Sequence, residues 1–300
     1  MGEFKRENSL GALPAHDIVN YLIAIEDLDE ASRFSDGGVT GQGLPGYRPA
    51  YSHTGMVVGF IEPSEDVDLQ IQSASSIQAD RTLQGQRIKV TLDRFYVESY
   101  PGLGEHIILC EFNGKNQIQP AGEALKFAKK FSANDRSAAA VVNAPVFLGL
   151  TVSNDGIEFE GRTINVRSKG SEAILAALES PVFKAGLTLI NTAQPALKPF
   201  VSLATAAIKT VESGKNNKQV HEFNLGLDFD DRSTATRLRL GTYIVVQTDE
   251  KSWDWTQFFW QRAASQLQDC RLPAGESIGF NYTAIGISRF ESPEPVRTRR

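Results

Sequence analysis

Residues that carry catalysis and cross-linking are scarce in this chain. Among 300 residues there are two cysteines, Cys110 and Cys270, and four histidines. Two cysteines do not build a disulfide framework. Cys110 lies in the apolar run HIILCEF, where a free thiol is expected to be buried. The histidines and cysteines show none of the close spacing that a zinc site needs. A basic excess is also missing. The formal net charge is −5, which argues against nucleic acid as the main partner. The opening MGEFKRENSL lacks the apolar core of a signal peptide, and together with reduced cysteines this gives a cytoplasmic expectation. No transmembrane segment is expected. The uncharged stretch 137–154 contains Asn143, Pro145 and Gly149, and reads as two strands across a bend. There is no GxSxG elbow and no HExxH. The glycine-rich loop at 35–51 has no GK[ST] to cradle a phosphate.

What is present is mostly a strand pattern. VDLQIQ (67–72), RIKVTL (87–92) and HEFNLGLDF (221–229) alternate at period two, which puts one face of each strand on a core. The phase shifts at Asp93-Arg94, as a bulge would shift it. HIILCEF (106–112) is apolar on both faces and is expected to be a central strand. Asn113-Gly114 and Asp155-Gly156 supply turn chemistry between runs, and Glu160-Gly161 a kink. The fold class expected is mainly β: an antiparallel β-sandwich of about nine or ten strands.

Two helical units are added to it. Residues 14–33 read as an amphipathic N-terminal helix, with Ile18, Leu22, Ile25 and Leu28 on one face. Residues 171–213 read as a helical insertion, in which Pro195 and Pro199 separate two helices. The organisation expected is a helix and Gly-rich loop at 1–51, a sandwich domain at 52–291 and a charged tail at 292–300.

Candidate sites are of two kinds. Asp228, Asp230 and Asp231 form a DxDD cluster at a strand end, and Asp155 sits on another loop. Calcium takes six to eight hard oxygens, which acidic loops can supply. A sandwich with acidic loops resembles C2 domains, which implies calcium as cofactor and a membrane surface as partner. The other candidates are apolar. All three tryptophans, Trp253, Trp255 and Trp260, fall within KSWDWTQFFW. Asp254 and Gln257 have capping-box spacing, which suits a following helix; as a strand, Trp253, Trp255 and Phe259 would share one face and Phe258 and Trp260 the other. With Phe183, Leu187 and Val201 of the insertion, these aromatics are candidate contacts for a partner or ligand, against a reading as core.

The leading functional expectation is a non-enzymatic binding or scaffolding module within a larger protein assembly, with a protein partner or self-association. The alternatives are a calcium- or lipid-dependent membrane-docking protein and a metal-dependent enzyme using the DxDD cluster.

Overall fold

In the computed structural model, described over residues 4–35, 48–116, 123–168, 175, 176, 178, 198–273 and 275–291, the alternating runs become antiparallel sheets. In chain order the first strands are β1 (Met56–Ile61), β2 (Asp68–Gln70), β3 (Gln72–Ser73), β4 (Arg87–Val97) and β5 (His106–Asn116). Next come β6 (Glu123–Ala133), β7 (Ser137–Ala138), β8 (Ala144–Thr151), β9 (Ile157–Val166) and β10 (Lys218–Asp228). The last are β11 (Thr236–Arg237), β12 (Gly241–Gln247), β13 (Phe258–Gln261), β14 (Gln266–Asp269) and β15 (Tyr282–Arg289). The α-helices are α1 (Ala15–Ala24), α2 (Leu28–Ser35) and α3 (Lys198–Glu212).

Sheet I runs β3-β1-β12-β15-β4-β7, with β8 also on β4; sheet II runs β11-β10-β9-β5-β6; sheet III runs β14-β13-β2. Pairing is antiparallel apart from the short β10–β11 contact. Sheets I and II face each other. Their shared core takes Phe60, Val90, Leu92, Phe95, Tyr243 and Val245 from one side, and Ile108, Cys110, Phe112, Phe127, Phe159 and Phe223 from the other.

The alternate residues of the same strands point outward and are also buried. Ile244, Val246, Tyr282 and Ala284 of sheet I pack under sheet III and Trp255. Leu109, Ala128, Ile164 and Val166 of sheet II pack under α3 with Leu175 and Leu178. The order is therefore sheet III, sheet I, sheet II, helix. This is why the central strands are apolar on both faces, as in parallel sheets that carry a cover on each side.

Several local expectations are corrected. Asn113-Gly114 is not a turn. It lies inside β5, opposite Lys126 and Leu125 of β6. A Cβ on Gly114 would sit 2.9 Å from the Phe147 ring, so the glycine admits an aromatic from the facing sheet. Glu160-Gly161 does not kink the chain, since β9 runs through it. The single helix at 14–33 is two. Glu26 takes a left-handed backbone (φ 65°), and Asp27 starts α2 by accepting from the Glu30 N–H. The capping box at Asp254 closes one 3-10 turn only, Trp255–Gln257, and the chain then enters β13. Alternating aromatics suit a pleated, half-covered surface better than a helix. The bulge at Asp93 is there: Ala284 pairs Arg94, while the next residue, Ile285, pairs Leu92. Asp155-Gly156 is a corner between β8 of sheet I and β9 of sheet II rather than a hairpin within one sheet. Of the insertion at 171–213, the described part is chiefly α3. Among the described residues no helix is long and apolar enough to cross a membrane.

Candidate functional site

The site is built at one end of the sandwich. There residues 98–105 carry the chain from β4 in sheet I to β5 in sheet II, and α1–α2 pack alongside. Asn281 fixes the start of this linker. Its side-chain oxygen accepts from the N–H of Glu98 at 2.8 Å and of Ser99 at 3.3 Å, and its amide donates to the Ser99 carbonyl at 3.2 Å. Asn281 is 3% exposed, so the Asn281-Tyr282-Thr283 triplet, which has the pattern of a glycosylation sequon, is a buried structural feature. Asp27 fixes the middle of the linker, accepting the Gly102 N–H at 2.8 Å.

Two clefts open on either side of Glu98 and Arg136, which line both and are paired at 3.6 Å. The first, about 570 Å³, lies between α2 and the linker. Its walls carry Asp27, Asp29, Glu30, Arg33, Arg48, Tyr51 and Asp135. Several of these are held in place. Glu30 accepts from the Tyr51 hydroxyl at 2.8 Å and from Arg33 at 3.3 Å. Arg48 reaches out of the cleft to Asp249 at 2.8 Å. The second cleft, about 610 Å³, is lined by Arg94, Tyr96, Ser137, Gln266, Glu276 and Ser277. Together they form one groove with a saddle at the Glu98–Arg136 pair. Acidic side chains outnumber basic ones in the first lobe. In the second the numbers are equal.

From Asp135 on the wall of the first lobe a polar chain runs inward to the buried His106 and Asn165. Asp135 accepts from Nε2 of His106 at 2.8 Å and from the Tyr100 N–H at 3.0 Å. Arg167 donates to Nδ1 of His106 at 2.9 Å, which leaves the ring proton on Nε2. Arg167 also donates to the Pro101 carbonyl at 2.9 Å, and Asn165 to the same carbonyl at 2.8 Å. The floor of the groove is thus rigid, while its rim is apolar and open. Leu28 is 63% exposed and Leu103 67% exposed. Each directly follows a partner of the Asp27–Gly102 hydrogen bond, and Leu103 lines the first cleft.

The groove holds no activated nucleophile. Cys110 is fully buried in the core, where burial pushes its thiol pKa far up. It lies four residues along β5 from His106, about 13 Å at strand spacing. His221 is buried beside Phe223, and burial lowers its pKa to about 4, so the ring is neutral.

The residues singled out from the sequence lie elsewhere. Asp228 ends β10 and accepts the Asp230 N–H at 2.9 Å; Asp230 in turn accepts the Arg232 N–H at 3.2 Å. Arg232 pairs with both carboxylates, and Asp231 faces Arg81 at 3.8 Å. The Asp155 corner is a neighbour, since Gly156 packs on the Leu227–Asp228 backbone. Even so, among the described residues no three His, Cys, Asp or Glu side chains converge as metal ligands would. Trp255 and Trp260 are each 8% exposed and pack on sheet I, while Trp253 stacks on Phe258 at 4.6 Å. Val201 is half-buried on α3. Phe183 and Leu187 lie outside the described residues.

None of the groove residues was a candidate site residue in the sequence; Arg94 stood out only as part of a bulge and Leu28 only as one of an apolar helix face. The groove residues come from six separated segments, and no spacing links them. The faint signal was the linker YPGLG (100–104), where a leucine stands among turn residues. Comparison with protein families, curated proteins and solved structures gives no match for this chain.

Proposed function

We propose that the chain is a non-enzymatic binding module of a larger protein assembly, and that its end groove takes an extended segment of a partner protein. The observation that carries this reading is the groove itself: two clefts joined at Glu98–Arg136, with the exposed Leu103 lining the first and the exposed Leu28 next in sequence to Asp27 of its wall. An apolar anchor beside ordered polar groups is the composition of a recognition surface. The floor is held by hydrogen bonds before any partner arrives, which lowers the ordering cost of binding. Among the described residues, no histidine or cysteine lines either cleft; Cys110 and His221 are buried, and His106 is held by Asp135 and Arg167.

A peptide-display selection tests this. Wild-type protein should enrich peptides with a shared motif that contains an apolar residue. The double variant Leu28→Ser, Leu103→Ser should fold with an unchanged Tm and lose that enrichment. No enrichment by the wild type, or an undiminished motif with the variant, would remove the reading. Nothing in the arrangement of Asp155, Asp228, Asp230 and Asp231 favours calcium-dependent docking over it.

A further inference from the structure

The second lobe contains a cation that the described residues leave without a counter-ion. Arg94 lines this lobe beside Tyr96. Its Nε is buried and has no acceptor. The guanidinium lies next to the Tyr282 hydroxyl, a neutral neighbour, and no described carboxylate is within ion-pair reach of it. The carboxylates nearby are otherwise engaged. Glu98 accepts from the Tyr96 hydroxyl at 3.3 Å, from the Ser277 hydroxyl, and pairs with Arg136. Asp93 accepts from the Thr91 hydroxyl at 2.6 Å. Glu276 is exposed at the mouth.

A partly desolvated guanidinium with open N–H groups is a planar fork that matches a carboxylate or phosphate. Gln266 and Ser277 line the same lobe, the Ser277 hydroxyl donating to Glu98. We infer that this lobe is an anion site with Arg94 as its principal ligand, receiving a carboxylate or phosphate group. The inference rests on the groove reading for where that group comes from: it gives one end of the bound segment a negative charge. The lobe can be tested by itself.

The probes are inorganic phosphate in one arm and acetate in the other, each titrated at constant ionic strength and followed by NMR. Saturable shifts are expected at the Arg94 Nε–H and at the backbone amides of Gln266 and Ser277. Arg94→Gln should weaken binding by about tenfold or more, as loss of a charge-assisted pair does, without changing Tm. Arg94→Lys keeps the charge but not the fork and should fall between. Glu98→Gln removes a like charge and should tighten binding, a change that a purely structural role for Arg94 does not produce. Saturation by acetate alone would identify the group as a carboxylate; saturation by phosphate alone would identify it as a phosphate. Flat titrations with both anions, or equal titrations of wild type and Arg94→Gln, would overturn the site. If display selection still maps to the groove while both titrations are flat, the anion site falls and the groove reading stands.

Discussion

Both main sheets are covered on the outside, and the two covers differ in kind. Sheet I is covered by large aromatics. Trp255, Phe258 and Trp260 pack on Ile244, Val246 and Tyr282, and Trp255 lies so close to Gly59 that a Cβ there would come within 2.8 Å of its ring. Sheet II is covered by a helix that presents Ala204, Ala207, Ile208 and Val211. Beyond the helix contact the same face carries a buried ion pair. Glu111, 1% exposed, holds Arg162 at 2.6 Å, and Arg162 also reaches Glu212 of α3 at 2.6 Å. One cover gains its stability from area, since each ring buries on the order of 150–250 Å². The other has little apolar area per residue and encloses charge. Among the described residues both covers are packed on their sheets, while the end groove is open to solvent.

The largest test of this contrast is Trp255→Ala. It should cost about 3–5 kcal/mol of stability, read as a lower denaturation midpoint. A loss below about 1 kcal/mol would mean that the aromatic cover is not structural.

Next is the pH profile. The buried His221 titrates near 4 in the folded protein, against 6.5 for a free imidazole. Between those values the unfolded chain binds the extra proton, so stability must fall as pH drops from 6.5 towards 4. The loss amounts to roughly 3 kcal/mol for a shift of this size. His221→Gln should flatten the profile by that amount. An unchanged profile would contradict the buried neutral ring.

Glu111 acts in the opposite sense. Burial raises its pKa from 4.5 to about 6 in spite of the Arg162 guanidinium beside it. The folded state therefore holds this proton more tightly than the unfolded chain, and stability rises as pH falls from 6 to 4.5. Above pH 6 the ionised carboxylate carries a cost of roughly 2 kcal/mol. Glu111→Gln should be more stable than wild type at pH 8 by up to about that much, and no more stable at pH 4. Destabilisation at both pH values would show that the ion pair fastens the helical cover instead.

Smaller still is Ile208→Val on α3, with an expected cost of about 0.5–1.5 kcal/mol. The smallest effect belongs to the rim: Leu28→Ser with Leu103→Ser should leave Tm unchanged. If that pair proves as costly as Trp255→Ala, the leucines are core and the groove loses its anchor.

The layered sheets were legible in the sequence because alternation is a local property. Phe223, Leu225 and Leu227 share a face by spacing alone, and HIILCEF declared two covered faces. β6 went unseen. EALKFAKKFSA places three lysines and three alanines in an 11-residue strand, and these obscure its Leu125, Phe127 and Phe131 face. Asn113-Gly114 misled because the demand on its glycine comes from Phe147, distant in sequence. The aromatic cover was legible as something that must be buried, with helix and strand both open until the structure showed β13. The groove left only the faint trace of YPGLG in the sequence. Asp27, Arg94, Glu98, Asp135 and Gly102 meet only after the sheets and helices have packed, and each alone is an ordinary surface residue type.

The most direct test of the account is amide hydrogen exchange on the wild-type protein with a peptide from the display selection bound. Protection should appear at residues 27–35, 98–104 and 135–138. Protection confined to the aromatic cover at 253–267, or to α3, would place recognition on a face that is described here as closed, and would contradict the account.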